Sequence, residues 1–557
     1  DFGFAYHEGD NNVAWDDAHD VLSFVYTEPM TNWMPMPKET PRTYDAAVAL
    51  MQERAEGGDS LAQATRTSAA FAADGRYDVA VLTAPWCDGA VFTLNADPGL
   101  RSSADQPSAA GVKLDAVQHA FATTASGVQG WQGRGDVVFA DGAVKCRAPD
   151  PGGECMVIQS VTLNQAEPNA LIARASSKAE GVTGTQDVDY SLYVDLTYAD
   201  GDHLWSQAAP FDVGTHDWQT REVRIEPAKP VQSATVHLLL RREHAGTAWF
   251  DDVFLGEADS MANRVVNGGF DEGQPVAAVL DGTYIDSFEG WGTRPNYRRE
   301  HFATVRVPLT FDTSSLQPVI LTYFSTYEFA AELRKRMSAQ GKLVMANATP
   351  WTFPWAGHLL DVLGTETNWA PEGKYQPESD AVFNYRRAVC YQKPYLLLQN
   401  TVYDTFTPEM IERYFKRSIF YACFPGFFSH NAADAPYWQN PVLYNRDRPL
   451  FLKYIPLCRQ ISAAGWEPIT HARTHDESVW IERYGYADQG NLHFTVFNAA
   501  TAERQVTVTL DLEALGLAEA PATVRELVRG EDLQMTPAGE VRLSLGSEDL
   551  AILRPGG

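Results

Sequence analysis

The chain has 557 residues, 45% of them hydrophobic and 11% aromatic, with 44 Lys and Arg against 72 Asp and Glu, a net charge of −28. The length predicts three to four domains of roughly 150 residues each, and the acid excess disfavours nucleic acid and anionic membranes as partners. No apolar run of about 18 residues is present to span a membrane. The chain begins at Asp1 without a basic, apolar leader. That reads either as a removed signal peptide, and so a secreted or periplasmic protein, or as a trimmed chain.

In chain order, FGFAYHE (2–8) and VLSFVYTEP (21–29) read as strands and TYDAAVALMQERA (43–55) as a helix. AVFTLNADP (90–98) reads as a third strand, with DVAVLTAPW (78–86) as its rival. From about 125 to 258 the texture is all-β: DYSLYVDLTYADG, REVRIEP and ATVHLLLRREHAGTAWFDDVFLG alternate apolar and polar residues between Gly and Asp turns. A run of this kind makes a β-sandwich. NGGFDEG (267–273) is taken as a turn outside it. Cys146 and Cys155 flank a Pro/Gly-rich turn, where they either bridge a hairpin or stay two thiols.

From 262 to 475 short apolar strands alternate with amphipathic helices, the rhythm of a parallel sheet. GTYIDSF (282–288), KLVMANATP (342–350), VLGTETNW (362–369), YLLLQNTV (395–402) and FPGFFSHNA (424–432) are the strands. With the three before the sandwich they number eight, as in a (β/α)₈ barrel. The last 80 or so residues return to alternating β-segments. The expected fold is therefore a TIM barrel in two parts (1–124 and 261–475), an inserted jelly-roll β-sandwich (125–260) and a C-terminal antiparallel β-sandwich (476–557).

Active sites of parallel barrels lie at the C-terminal strand ends. Polar groups stand at nearly every one: His7 and Glu8, Glu28, Asp97, Asp286, Asn347, Glu366 and Asn368, Gln399 and Asn400, His430 and Asn431. Alternation puts Tyr284 and Asp286 on one face of a strand, and Gly364 and Glu366 on one face of another. Aromatic residues gather beside them: Trp33, Phe288, Trp291, Tyr323, Trp351, Trp355, Trp369 and Trp438. Rings at a polar mouth suit flat amphipathic ligands such as sugars. Two carboxylates with stacking rings are the equipment of glycoside hydrolysis. HEGDN (7–11) is not HExxH, and GxSxG, Walker and strand-following GxGxxG motifs are missing. Plainer roles compete: Asp286 as a helix cap, Glu366 as the partner of an Arg, Glu28 as a loop acceptor, and the tryptophans as core. Arg294, Arg298 and Arg299 suit a solvated helix start or an anionic sugar. The Asn-Ala-Thr at 347–349 falls at a strand end facing the core, so glycosylation there is not expected.

On DGTYIDS, VLGTETNW and the C-terminal β-segments, the chain resembles a secreted multidomain glycoside hydrolase, nearest in pattern to α-galactosidase-like and endo-α-N-acetylgalactosaminidase-like enzymes. Barrel glycosidases with Asn-Glu after the fourth strand are a poorer match, because the segment here ends in Asp286. The resemblance implies a retaining enzyme on a poly- or oligosaccharide, with Asp286 as nucleophile and Glu366 as acid/base. It implies substrate contacts from His7, Glu28, Trp33, Tyr284, Trp291, Asn347, Trp351, Trp369, Asn400 and His430, and no cofactor for catalysis. The 125–260 segment resembles jelly-roll carbohydrate-binding modules, which implies a structural calcium at Asp251 and Asp252. An inverting enzyme pairing Asp286 with Glu28 or Glu8, and a glycan-binding protein without activity, are the alternatives.

Overall fold

The computed structural model describes residues 4–7, 21–100, 107–122, 125–128, 130–140, 142–258, 260, 262–271, 276–278, 280–430, 437 and 440–556. The chain divides into two compact units, one of residues 26–115 and 282–557 with the first two residues, the other of 3–25 and 116–281.

Seven parallel strands form one sheet: β1 (Phe4–His7), β2 (Leu22–Thr27), β3 (Gly282–Ile285), β4 (Leu343–Ala346), β5 (Val362–Thr367), β6 (Tyr395–Thr401) and β7 (Cys423–His430). Their spatial order is their chain order. Among the described residues no ladder joins β7 back to β1, so the sheet is a half-barrel wall. Helices Thr322–Ala339, Asp380–Cys390 and Pro408–Phe420 make the crossovers after β3, β5 and β6, and Pro441–Ala464 follows β7. β3 is buried along its length and β4 nearly so, as strands covered on both faces must be.

The expected eighth member is elsewhere. AVFTLNADP lies in an antiparallel sheet, where Cys87–Thr93 pairs with Thr31–Pro35 on one side and Val79–Ala84 on the other. The two rival segments are thus the arms of one hairpin, joined by the two-residue turn Pro85–Trp86. A pairing closed by so short a loop costs less chain entropy than a remote parallel one. Asp97 therefore ends no parallel strand, and Asp286 follows the third strand of the sheet, not the fourth.

In the second unit a seven-stranded and a five-stranded antiparallel sheet enclose one core containing Trp131, Tyr190, Phe211 and Phe250. The sandwich runs past residue 260. Phe270 packs in that core, Trp131 Nε1 donates to the Asn267 carbonyl at 2.9 Å, and Val276–Ala278 pairs with Ala125–Val128. The described part of NGGFDEG, residues 267–271, is thus part of the sandwich, not a turn outside it. Cys146 and Cys155 are buried free thiols on strands of different sheets, and burial pushes the Cys146 thiol well up. Strands from Trp466–Glu467 onward form a six-stranded and a three-stranded sheet whose core includes Phe494, Val508 and Leu553. No described helix is long and apolar enough to cross a membrane.

Candidate active site

The C-terminal ends of β2 to β6 bring three carboxylates into a row. Asp286 directly follows β3, and its backbone N–H donates to the Thr27 carbonyl at 3.0 Å, tying it to β2. Its Oδ1 accepts from Asn347 Nδ2 at 2.8 Å and Tyr284 Oη at 3.2 Å; its Oδ2 accepts from Tyr26 Oη at 3.2 Å and Ser287 Oγ at 3.3 Å. Four donors thus fix the orientation of this half-buried carboxyl.

Asn347, just beyond β4 and buried, uses one amide nitrogen for two acids. Nδ2 donates to Asp286 Oδ1 and to Glu366 Oε1, each at 2.8 Å, while its Oδ1 accepts from the Ala348 N–H at 2.7 Å. The second Glu366 oxygen accepts from Asn400 Nδ2 at 3.0 Å. Two carboxylate oxygens hung from one nitrogen cannot be more than twice 2.8 Å apart. An asparagine so employed and buried is no glycan acceptor.

Glu28 stands on the other side of Asp286. The Tyr26 hydroxyl lies 3.2 Å from Asp286 Oδ2 and 3.3 Å from Glu28 Oε2, and Trp33 Nε1 donates to the same Glu28 oxygen at 3.0 Å. Tyr26 has one hydrogen for two acids, so a proton on Glu28 removes the conflict. Burial pushes the Glu28 carboxyl up to about 6, the Asp286 charge adds to this, and Lys113 opposes it. Burial in turn lowers the Lys113 ammonium to about 8; its Nζ donates to the carbonyls of Glu28 and Thr31.

The raised value has a sign that can be checked. An acid whose folded pKa is above its unfolded one stabilises the fold below pH 4.5 and loses that contribution as pH rises through 6. Between about pH 3.5 and about pH 7 the unmutated chain should lose roughly 2 kcal/mol relative to Glu28→Gln, which cannot titrate. Urea unfolding of both chains at the two pH values measures it, and parallel pH dependences would refute it.

The aromatic residues divide into two groups. Trp33 and Trp291 stand edge to face, 6.1 Å between centroids, on the Glu28 side. Trp351 is 47% exposed and donates from Nε1 to Thr365 Oγ1 at 2.8 Å. Tyr284 is buried and serves Asp286 through its hydroxyl. Trp369 is not at the mouth: it is fully buried, edge to face against Tyr375, Phe383 and Tyr414. Strand β5 alternates faces, and three residues past Glu366 the chain has turned into the layer between sheet and helices. His7 and His430 are paired in β1 and β7, opposite Val25 and Thr401; their side chains, and Glu8, Asn431 and Trp438, lie outside the described residues. Exposed Arg299 opens a short 3-10 helix, Arg299–Ala303, as a solvated helix start would, whereas its N-cap Arg298 donates to the Arg66 and Ala69 carbonyls and the exposed Arg294 pairs with Asp78.

Sequence reading overlooked four participants. Tyr26, two residues before Glu28, could have been found by strand alternation. Lys113 gives no local signal. Trp86 sits in the unassigned hairpin. Glu289 gives no local signal either, yet its buried carboxylate accepts from Thr349 Oγ1 and from the N–H groups of Trp351, Thr352 and Phe353 at 2.6–3.1 Å. It shapes the loop that presents Trp351.

In the second unit, Asp251 is half-buried, and burial with the charges of Asp252 and Asp271 raises its carboxyl to about 6. Asp252 occupies a left-handed bulge, φ 53°. Among the described residues no three His, Cys, Asp or Glu side chains are grouped to hold a metal ion.

No protein-family model matches the chain. It is 37% identical over 106 residues to the tRNA nuclease WapA of Bacillus subtilis (strain 168), and likewise to the tRNA3(Ser)-specific nuclease WapA of Bacillus spizizenii. The match covers 18% of this chain and spans 4% of the length of these curated relatives. Similar solved structures include glycoside hydrolases and carbohydrate-binding modules. One is a putative α-galactosidase from Bacteroides fragilis, 13% identical, covering 42% of this chain and 51% of that one, TM-score 0.27. Another is the CBM22-1–GH10 part of Clostridium thermocellum endo-1,4-β-D-xylanase 10B, 9% identical, covering 55% and 90%, TM-score 0.26. A CBM4 structure is 19% identical, covering 24% and 77%, TM-score 0.17.

Proposed function

We propose that the chain is a retaining glycoside hydrolase acting on a poly- or oligosaccharide, with Asp286 as nucleophile and Glu366 as acid/base. The observation that carries this is the single Asn347 nitrogen holding both carboxylates, each at 2.8 Å. Retention calls for carboxyl groups about 5–5.5 Å apart, inversion for about 6.5–9.5 Å. A tether of this length supports the shorter class. Asp286, oriented by four hydrogen-bond donors and with its backbone tied to the Thr27 carbonyl, would attack the anomeric carbon. Glu366 would protonate the departing oxygen and then take the proton of the incoming water. Asn347 keeps the two in register. The strand order, each strand beside its successor, supports a barrel-like winding for the wall that carries them.

A second reading uses Glu28 as the acid, because burial pushes its carboxyl up to about 6, toward the range of a general acid. The two readings separate by substitution: Glu366→Gln removes activity under the first, Glu28→Gln under the second. The sandwich would serve as a glycan-binding module. A calcium ion at Asp251 and Asp252 belongs to that part only; carbonyls and water would supply most of its six to eight ligands. A secreted or periplasmic location agrees with the same reading.

The deciding experiment incubates the full chain with a panel of plant, microbial and animal polysaccharides and assays released reducing ends. Release from at least one glycan, lost in Asp286→Asn, is the expected result. No release from any of them overturns the hydrolase reading.

A further inference from the structure

Three tryptophans lead from the carboxylate row toward solvent. Trp33 is half-buried and hangs from Glu28 Oε2 through its Nε1 at 3.0 Å. Trp291, five residues past Asp286, stands edge to face on Trp33 at 6.1 Å and 71°. Trp86 stands edge to face on the same indole from another element, at 5.7 Å and 76°. It occupies the tip of the Val79–Ala84/Cys87–Thr93 hairpin and is 59% exposed. A tight turn needs no large ring at its tip, where Gly, Asn and Asp are the favoured residues. Leaving most of an indole in water forgoes the burial that makes aromatic residues stabilising.

The ring is also held in place. Asp88, two residues on, accepts from Arg42 Nη2 at 2.8 Å, Arg42 Nε at 3.1 Å and Thr83 Oγ1 at 3.0 Å, which staples the hairpin end. Trp291 is fixed likewise: the Arg294 guanidinium lies 5.3 Å from its centroid and pairs with Asp78 at 3.3 Å. Exposed, rigid aromatic residues beside a charged site have the character of binding anchors, since little conformational entropy is lost when a ligand covers them.

We propose that Trp86, Trp33 and Trp291 form an extended saccharide subsite on the Glu28 side of Asp286, and that the ligand is a chain of at least three sugar residues. The chemical class rests on the glycosidase reading; the extent and direction rest on the rings. Each ring-to-ring step is comparable to the span of one pyranose. A pyranose offers an indole its C–H face and offers its hydroxyls to carboxylates, and Glu28, already bonded to Trp33, stands at the inner end. These rings lie on the Glu28 side of Asp286, so the chain runs outward from that side of the point of cleavage. Trp86 is the specificity-determining member because it is the most exposed of the three.

The test is calorimetric titration of the full chain carrying Asp286→Asn, which suppresses turnover. The probes are xylo-, malto-, manno- and cello-oligosaccharides from mono- to hexasaccharide. In at least one series affinity should rise about tenfold between mono- and trisaccharide, the order expected of an added aromatic contact. Adding Trp86→Ala should abolish that rise while leaving monosaccharide affinity unchanged, and Trp86→Phe should keep most of it. Affinity independent of chain length, indifference to Trp86→Ala, or no binding in any series overturns the proposal. The glycosidase reading fails separately: length-dependent binding through Trp86 without hydrolysis by the unmutated chain keeps the subsite and removes the enzyme. Hydrolysis with no Trp86 dependence does the reverse.

Discussion

Asp286→Asn should lower glycan hydrolysis by about 10⁴-fold or more, the scale on which covalent-catalysis residues fail when removed, with the fold intact. The substitution is nearly isosteric, and the surroundings can accept it. The amide oxygen can take the place of Oδ1, receiving Asn347 Nδ2 and the Tyr284 hydroxyl, while the new N–H₂ faces Tyr26 and Ser287, whose hydroxyls can turn to accept. Unfolding midpoints should therefore barely move. Glu366→Gln should differ in a diagnostic way. Loss of an acid matters most for poor leaving groups, so its activity on a dinitrophenyl glycoside should suffer far less than on a polysaccharide. Azide should restore turnover to Asp286→Gly with inverted product and to Glu366→Gly with retained product. Near-wild-type hydrolysis by Asp286→Asn would remove the assignment.

Glu289→Ala should be the most damaging single change near the site for stability, costing about 3 kcal/mol. The side chain is buried, and its two oxygens accept four hydrogen bonds from the 349–353 loop. Three backbone N–H groups and one hydroxyl lose their acceptor together. Trp351 and Thr352 are exposed, so water replaces part of the loss, which keeps the cost below the sum of separate buried donors. Glu289→Gln, which keeps one good acceptor but turns an N–H₂ toward donors, should fall between. Urea unfolding gives the energies, and the emission of Trp351 reports whether its loop has moved. A change below about 0.5 kcal/mol would show that the carboxylate is not the organiser of this loop.

These two acids show how unevenly the site was legible. Asp286 was readable because a strand's period of two and the rule of C-terminal strand ends combine to place a carboxylate without knowledge of its neighbours. Glu366 was readable for the same reason. Asn347 and Asn400 could be put at strand ends, but that one amide nitrogen bridges both acids is a matter of register between β3, β4 and β5. Glu289, three residues from Asp286, carries no local signal, since its partners lie some sixty residues on. Trp369 was misassigned because a tryptophan three residues past a catalytic-looking Glu fits a mouth and a core equally well in one dimension.

The sequence by itself determined the alternation of strands and helices after residue 262, the all-β texture of the inserted and final segments, and which strands end in acids, because each is a local pattern of side-chain polarity. It did not determine the strand count. AVFTLNADP has an apolar run suited to a parallel sheet, and only the closure of the Pro85–Trp86 turn sent it into a hairpin. Nor did it determine which acids meet. Tertiary structure placed Tyr26 between Glu28 and Asp286, and Asn347 between Asp286 and Glu366. Charge, burial and proton sharing depend on distances of a few ångströms between residues as far as 260 positions apart, and those distances exist only after the chain has folded.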